Sequence, residues 1–282
     1  MSVIETPGKL DWSMMSRAAR DAAYNNTEHV RESATLVAAR EAASAAFRAA
    51  HPALLDIPYG PRERNRWDLF PASTPDAPCL VFIHGGYWQR NSRETFACLV
   101  EGARQLGWSA ALPGYTLAPE ASLTEIVAEL RASLDWLASH GPSHGIEGPI
   151  LLSGWSAGGH LTAMCLDHPA VSAGLSISGV FELGPLRDTY LNEKLQLSDE
   201  EIISLSPLRH PAVQKPLALA YGTAELDALA AASRVFHAHR AGQHAPGLLL
   251  PVPHANHFTI LQEFAAPAGH IARHLPLIIG AA

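Results

Sequence analysis

Short apolar runs alternate with amphipathic segments over most of this 282-residue chain. Runs of this kind, separated by helical segments, are typical of a parallel sheet with helices packed on it. Seven runs of four to seven residues have the composition of buried strands and cover 67–70, 79–83, 109–112, 150–153, 171–177, 217–221 and 248–252. The clearest amphipathic segments cover 122–139, 157–167, 228–241 and 258–274. The pattern predicts an α/β fold, a mostly parallel sheet with helices on both faces.

The first fifty residues differ from the rest of the chain. Residues 33–50 are rich in alanine and contain neither glycine nor proline, so we predict a helix that stops at His51-Pro52. We therefore expect residues 1–53 to form an N-terminal helical arm or lid, and residues 54–282 a single domain. Residues 181–211 interrupt the alternation, and either a small cap insertion or a surface loop with one helix is compatible with their composition.

Composition excludes several classes of protein. Hydrophobic residues make up 48% of the chain, which is enough for a sizeable core, and the net charge of −7 has the wrong sign for binding phosphate backbones. No long uncharged apolar stretch indicates a membrane span or a signal peptide. Cys79, Cys98 and Cys165 lack paired spacing. We expect a cytoplasmic protein with a small-molecule substrate and neither a nucleic-acid nor a membrane partner; a homodimer is left open.

The segment Gly154-Trp155-Ser156-Ala157-Gly158 matches G-x-S-x-G and lies between a predicted strand and a predicted helix. A nucleophilic serine on a tight strand-to-helix turn needs small neighbours two positions away on either side, and it lies at the positive end of the helix. Ser109 follows a similar Gly-Trp pair but has Ala111 in place of the second glycine and enters a strand. Ser156 is therefore the candidate nucleophile.

The loop His84-Gly85-Gly86-Tyr87-Trp88 follows the predicted strand over 79–83. An acyl-transfer serine needs N–H donors for the oxyanion of its transition state, and glycines let a loop turn its amides toward substrate without a Cβ in the way. Gly85 and Gly86, with Tyr87 as a substitute, are candidate donors together with the amide of Ala157. We interpret His84 as a side chain that braces this loop.

Serine also needs a histidine base and an acid that orients it. In parallel-sheet hydrolases with such a turn, the order along the chain is serine, acid, histidine. The segment after the last predicted strand offers His257, favoured because the final helical segment starts there, and His254 as the alternative. The turn after the preceding strand offers Glu225, with Asp227 as the reserve candidate because it could instead cap the next helix.

No metal or cofactor is predicted. The HExxH pattern is absent, and the close histidine pairs have no second ligand set nearby. A glycine-rich dinucleotide fingerprint is absent as well.

These motifs resemble the α/β-hydrolase superfamily, and within it the arylformamidase (kynurenine formamidase) group and its bacterial esterase relatives. The resemblance rests on the H-G-G-x-W loop at 84–88, on GWSAGGHL around Ser156, on the late Glu225 and on the Asn-His-Phe around His257. It extends from about Tyr24 to Phe258 through weaker similarity at 23–26, 56–61, 67–72 and 178–186. Many members carry aspartate where this chain has Glu225.

The resemblance implies an α/β-hydrolase fold and hydrolysis of an aryl formamide, such as N-formylkynurenine, through a formyl-enzyme on Ser156. Relatives with the same signature hydrolyse small esters, so a carboxylesterase is the alternative. A non-catalytic ligand-binding protein of this fold is the alternative of another class, although every triad position is filled here. Five aromatic side chains are candidates for a pocket that accepts a flat aryl group, or for packing instead: Tyr87, Trp88, Trp155, Phe181 and Tyr190.

Overall fold

A central sheet of eight strands organises the computed structural model, which describes residues 12–280. The strands lie in the order β1-β2-β4-β3-β5-β6-β7-β8. Strand β2 runs antiparallel to β1 and β4, and every other neighbouring pair is parallel. The strands are β1 (Ile57–Pro58), β2 (Arg66–Phe70), β3 (Cys79–Ile83), β4 (Ser109–Pro113), β5 (Ile150–Trp155), β6 (Val171–Ile177), β7 (Leu217–Gly222) and β8 (Leu249–Val252). The predicted mostly parallel α/β fold is confirmed, and only the two-residue β1 was not predicted.

Helices cover both faces of this sheet. The α-helices of the described residues are α1 (Arg17–Tyr24), α2 (Asn26–His29), α3 (Ser33–Ala50), α4 (Glu101–Gln105), α5 (Leu123–His140), α6 (Ala157–Met164), α7 (Asn192–Leu195), α8 (Asp199–Ser204), α9 (Asp227–Ala241), α10 (Ile260–Ala265) and α11 (Leu275–Ile279). Short 3₁₀ helices add Trp12–Met14, Arg93–Val100, Gly141–His144, Gly184–Asp188, Pro207–Arg209 and Ala272–His274. No helix within residues 12–280 has both the length and the apolar character that crossing a membrane requires.

The central strands are almost entirely buried on both faces, which explains why their sequences are predominantly apolar. In β3 the side chains of Val81 and Ile83 enter one core cluster, whereas Leu80 and Phe82 enter the other. This alternation follows from the two-residue period of a strand. The strands formed by these apolar runs therefore lie between the two core clusters and contribute side chains to both.

Helix α3 covers 33–50, the residues predicted to be helical, and ends at Ala50, just before His51 and Pro52. The helix packs on the 3₁₀ helix Arg93–Val100. At its C-terminal end, Nε of Arg48 lies 2.8 Å from a carboxylate oxygen of Asp68, which is fully buried in β2. A buried carboxylate needs a charged partner, so this pair ties the arm to the sheet. The first eleven residues of the predicted arm lie outside the described part of the chain.

Two segments differ from the sequence prediction. The expected helix over 258–274 breaks, because α10 ends before Ala266, whose extended backbone precedes Pro267. Residues 181–211 contain two short α-helices and two 3₁₀ helices, which is more structure than a loop with one helix. Leu183 and Leu186 of this segment are fully buried in the main core. The insertion is therefore packed onto the body of the fold.

Candidate active site

Ser156 occupies a sharp turn between the end of β5 and the start of α6. Its φ of 58° and ψ of −117° are unusual for a residue with a side chain, and strain of this kind concentrates at functional sites. The turn needs glycine on both sides. A Cβ on Gly158 would lie 2.1 Å from the carbonyl oxygen of Ile83, and a Cβ on Gly154 would lie 2.3 Å from that of Gly158. The motif thus lets the serine turn sit tightly against β3 and α6.

Glu225 and His257 form a buried pair at the carboxyl ends of β7 and β8. Oε2 of Glu225 lies 3.0 Å from Nδ1 of His257. The other carboxylate oxygen accepts hydrogen bonds from Ser178 Oγ at 2.6 Å and from the Gly222 amide at 2.7 Å. These bonds fix the carboxylate, so the pair can hold one imidazole tautomer with Nε2 facing away from the acid.

Trp155 also contacts His257. Its Nε1 donates a hydrogen bond of 2.9 Å to the carbonyl oxygen of His257, and the two ring centroids are 4.7 Å apart. The competing candidates lie elsewhere: His254 is solvent-exposed, and Asp227 begins α9 as its first residue. The structure therefore brings Glu225, rather than Asp227, to His257.

The loop from His84 to Trp88 packs against the serine turn. A Cβ on Gly85 would lie 2.4 Å from the Trp155 carbonyl oxygen and 3.0 Å from Ser156 Cβ. Gly86, Tyr87 and Trp88 all have positive φ, at 121°, 50° and 59°. The amides of Gly85, Gly86 and Ala157 have no hydrogen-bond acceptor within residues 12–280, and of these three residues only Gly86 lines the cavity described below.

His84, the first residue of this loop, has a buried side chain. Its ring stacks on Tyr115 with centroids 4.3 Å apart, and Nδ1 is 2.9 Å from the Gly85 carbonyl oxygen. Burial lowers the pKa of His84 to about 3, so the ring is neutral at physiological pH. A buried neutral ring stacked on tyrosine supports the loop and is badly placed to act as a base.

Ser156 and His257 line one cavity of about 250 Å³. Neither Ser156 Oγ nor His257 Nε2 has a hydrogen-bond partner within residues 12–280. Such contacts are often loose in a site without substrate. The N-terminal arm builds one wall of this cavity with Asn26, Thr27, Ser33, Ala34, Val37 and Arg40.

Two of the five aromatic pocket candidates, Tyr87 and Trp155, line the cavity. The other three do not, because packing elsewhere holds them. Trp88 is fully buried, with its ring edge against His160 at 5.0 Å. Phe181 stacks on Phe236 inside the core with centroids 4.3 Å apart, and half-buried Tyr190 lies in the insertion, where its amide bonds to Asp21. No residue of the insertion over 181–211 lines the cavity of Ser156.

Three site residues were not assigned a role from the sequence: Ser178, Asn26 and Arg40. Ser178 directly follows β6 and so lies at the same sheet edge as the ends of β5, β7 and β8. That position was a usable signal, since functional groups collect at this edge in open α/β sheets. Asn26 and Arg40 come from the arm. Asn26 ends the stretch 23–26, which contributes to the family resemblance, whereas the sequence position of Arg40 carries no signal of its approach to the site.

Within the part of the chain that the structure describes, no three His, Cys, Asp or Glu side chains are grouped so that they could hold a metal ion. The sheet order, the serine turn after β5 and the Glu225–His257 pair after the last two strands define the class. It is that of hydrolases built on a mostly parallel α/β sheet.

The chain belongs to the α/β-hydrolase family, whose model of the alpha/beta hydrolase fold matches residues 80–246. It is 31% identical to the kynurenine formamidase of Danio rerio over 215 residues, which are 71% of this chain and 72% of that protein. An esterase of Gibberella moniliformis is 35% identical over 105 residues, which cover 36% of this chain and 33% of the esterase. A solved structure from Silicibacter sp. TM1040 superposes with a TM-score of 0.79 at 28% identity, covering 93% of this chain and 98% of that one.

Proposed function

We propose that this protein is a serine hydrolase that cleaves an aryl formamide such as N-formylkynurenine to the free amine and formate. The observation that carries the proposal is the shared cavity of Ser156 and His257, with His257 bound to the buried carboxylate of Glu225 at 3.0 Å. The similarity to kynurenine formamidase of Danio rerio supports the choice of substrate.

In the proposed mechanism, Ser156 Oγ attacks the formyl carbon while His257 Nε2 takes the hydroxyl proton. Glu225 keeps the imidazole in the tautomer that can accept this proton and stabilises the imidazolium that forms. His257 then gives the proton to the departing aryl amine, which leaves Ser156 formylated. A water molecule, deprotonated by His257, attacks the formyl-enzyme and releases formate, and the proton returns to Ser156.

The oxyanion of both tetrahedral intermediates needs donors that are already in place. We assign this role to the amides of Gly85, Gly86 and Ala157. Their lack of acceptors within residues 12–280 supports the assignment, because buried amides are nearly always paired unless they serve a ligand. Ala157 also lies at the N-terminus of α6, where the helix dipole favours negative charge.

We further propose that the N-terminal arm is part of the substrate site. Six arm residues between Asn26 and Arg40 line the cavity. Tyr87 Oη, from the predicted oxyanion loop, donates to the Tyr24 carbonyl oxygen at 2.8 Å and accepts from Asn26 Nδ2 at 3.2 Å. The arm is thus bonded to the loop that would hold the oxyanion.

A carboxylesterase is the second candidate. The esterase relative from Gibberella moniliformis favours it, and the same serine chemistry also cleaves esters. The two candidates differ in the leaving group, since an amine must be protonated as it departs whereas an alkoxide or phenoxide departs more easily.

The experiment measures kcat/KM of the purified protein for N-formylkynurenine, p-nitrophenyl acetate and p-nitrophenyl propionate, with formate quantified in the first case. The proposal predicts that N-formylkynurenine has the largest kcat/KM and that formate and kynurenine appear in equal amounts. Turnover of the nitrophenyl esters alone would identify a carboxylesterase. Turnover of none of the three would favour a ligand-binding protein of this fold.

A cytoplasmic location is part of the proposal. Cys79, Cys98 and Cys165 are all free thiols in the structure. Unpaired cysteines are usual in a reducing compartment.

A further inference from the structure

The formally charged side chains that line the cavity of Ser156 are all positive. Arg40 and Arg90 line it, and no aspartate or glutamate does. Neither arginine forms an ion pair within residues 12–280. In a chain of net charge −7, two arginines beside a reactive serine, with no carboxylate in the same cavity, point to a ligand that carries a carboxylate.

Arg40 is held rigidly in this wall. Its Nε donates to the Thr95 carbonyl oxygen at 2.9 Å, and its guanidinium lies 3.8 Å from the centroid of the Phe96 ring. Nη2 is buried and has no hydrogen-bond partner, and burial lowers the pKa of the group. A buried cationic N–H without an acceptor is unfavourable unless a ligand supplies one. Arg40 also borders a smaller hollow of about 180 Å³, which contains no carboxylate.

The same cavity contains an unpaired acceptor. Asn26 is almost fully buried, and its Oδ1 has no donor although its Nδ2 is bonded to Tyr87. Arg40 and Asn26, two arm residues that line the cavity, therefore each have one buried polar atom without a partner, a cationic donor and a neutral acceptor. A ligand with a carboxylate and an N–H group would satisfy both.

We propose that Arg40 binds the carboxylate of the substrate, with Arg90 at the exposed edge of the cavity adding to its positive potential and Asn26 Oδ1 accepting an N–H. This inference rests on the proposed function for its reacting centre and deepens it by assigning the residue that recognises the α-carboxylate of such a substrate. The guanidinium fork suits a carboxylate because both offer two parallel hydrogen-bonding sites.

The test is an equilibrium binding measurement by titration calorimetry, which needs no turnover. The probes are kynurenine, which carries the amino-acid carboxylate, and 2-aminoacetophenone, which has the same aryl ketone and amine without that group. We expect kynurenine to bind the wild-type protein about 10- to 100-fold more tightly, the range of one charged hydrogen-bonding contact. Its Kd should rise with salt concentration, and that of the neutral probe should not.

In Arg40→Gln we expect the Kd of kynurenine to rise about 10- to 100-fold while that of 2-aminoacetophenone stays unchanged, which also reports an intact site. Arg40→Lys, which keeps the charge but loses the fork, should fall between. Arg31→Gln is the matched control, because Arg31 is exposed and does not line the cavity.

Equal affinity of the two probes for the wild-type protein would overturn the proposal, as would an unchanged kynurenine Kd in a folded Arg40→Gln protein. If Arg40→Gln does not fold, the wild-type probe comparison and its salt dependence decide. Failure of the proposed function would be seen separately, as the absence of formate release from N-formylkynurenine in a protein that still binds kynurenine through Arg40.

Discussion

The carboxylate of Glu225 lies 3.0 Å from Nδ1 of His257, and its second oxygen accepts hydrogen bonds from Ser178 and Gly222. All contacts of this carboxylate are therefore internal, and its side chain is shielded from solvent. A group held in this way can orient the imidazole without rearranging during the reaction.

Replacing Glu225 with glutamine should lower kcat by about 100- to 10,000-fold, since an amide cannot both orient the imidazole and stabilise its charged form. Steady-state kinetics with N-formylkynurenine and with p-nitrophenyl acetate measure the effect. Asp227→Asn is the control, because Asp227 begins α9 and does not contact His257. A larger loss in Asp227→Asn than in Glu225→Gln would show that the acid has been misassigned.

Ser178→Ala tests whether the support of Glu225 matters. The hydroxyl donates to the carboxylate at 2.6 Å, and a hydrogen bond to a charged group contributes about 1.5–3 kcal/mol. If the bond strengthens as the imidazolium forms, its loss should lower kcat about tenfold or more, with KM little changed. An unchanged kcat in Ser178→Ala would mean that the Gly222 amide alone fixes the carboxylate.

Tyr87→Phe should loosen the arm. The phenol bridges the Tyr24 carbonyl oxygen and Asn26 Nδ2, and burial raises its pKa so that it remains a protonated donor. Removing it leaves buried partners unsatisfied, which costs about 1–3 kcal/mol. We expect faster proteolysis between residues 25 and 50 and a higher KM. Tyr190→Phe makes the same chemical change outside the cavity; equal proteolysis of both variants would contradict the arm's role.

The stability of the protein should fall as the pH drops below about 6.5, the ordinary pKa of histidine. Burial lowers the pKa of His160 to about 4, and burial also lowers that of His84. Between these values and 6.5 the unfolded chain binds protons that the folded protein does not, so the free energy of unfolding decreases with falling pH.

Urea unfolding at pH 7 and pH 5 tests this. Each pH unit in that window costs about 1.4 kcal/mol per buried neutral histidine, so His160→Gln should lose about 2 kcal/mol less than the wild type. His254→Gln, at an exposed position, should lose as much as the wild type. A wild-type protein equally stable at both pH values would rule out buried neutral histidines.

The sequence predicted the parts of this molecule whose requirements are local. A serine turn between strand and helix needs Gly154 and Gly158, and the structure shows why, since a Cβ at either position would collide with backbone. The apolar runs predicted the parallel strands for a similar reason, because burial on both faces leaves few polar positions. Strand β1 was not predicted, because two residues are too few to show the alternation of side chains that marks a strand.

Which side chains line the cavity depends on tertiary packing and could not be predicted from the sequence. Trp88 and Phe181 were candidates for the pocket wall, but both lie in the core. Their sequence positions did not show this, because aromatic residues pack in cores as well as in pocket walls. Arg40 reaches the cavity only because α3 docks on the 3₁₀ helix Arg93–Val100, a contact between distant segments. The wall that the arm contributes to the cavity could therefore be identified only from the folded structure.

The most direct measurement is the rate of formate release from N-formylkynurenine by Ser156→Ala, beside Ser109→Ala. Both serines follow Gly-Trp and precede alanine, but Ser109 begins β4. The account predicts that Ser156→Ala loses about 10⁴- to 10⁶-fold in kcat, as loss of a nucleophile does, while Ser109→Ala stays within a few-fold of wild type. Formate release by Ser156→Ala at close to the wild-type rate would contradict it.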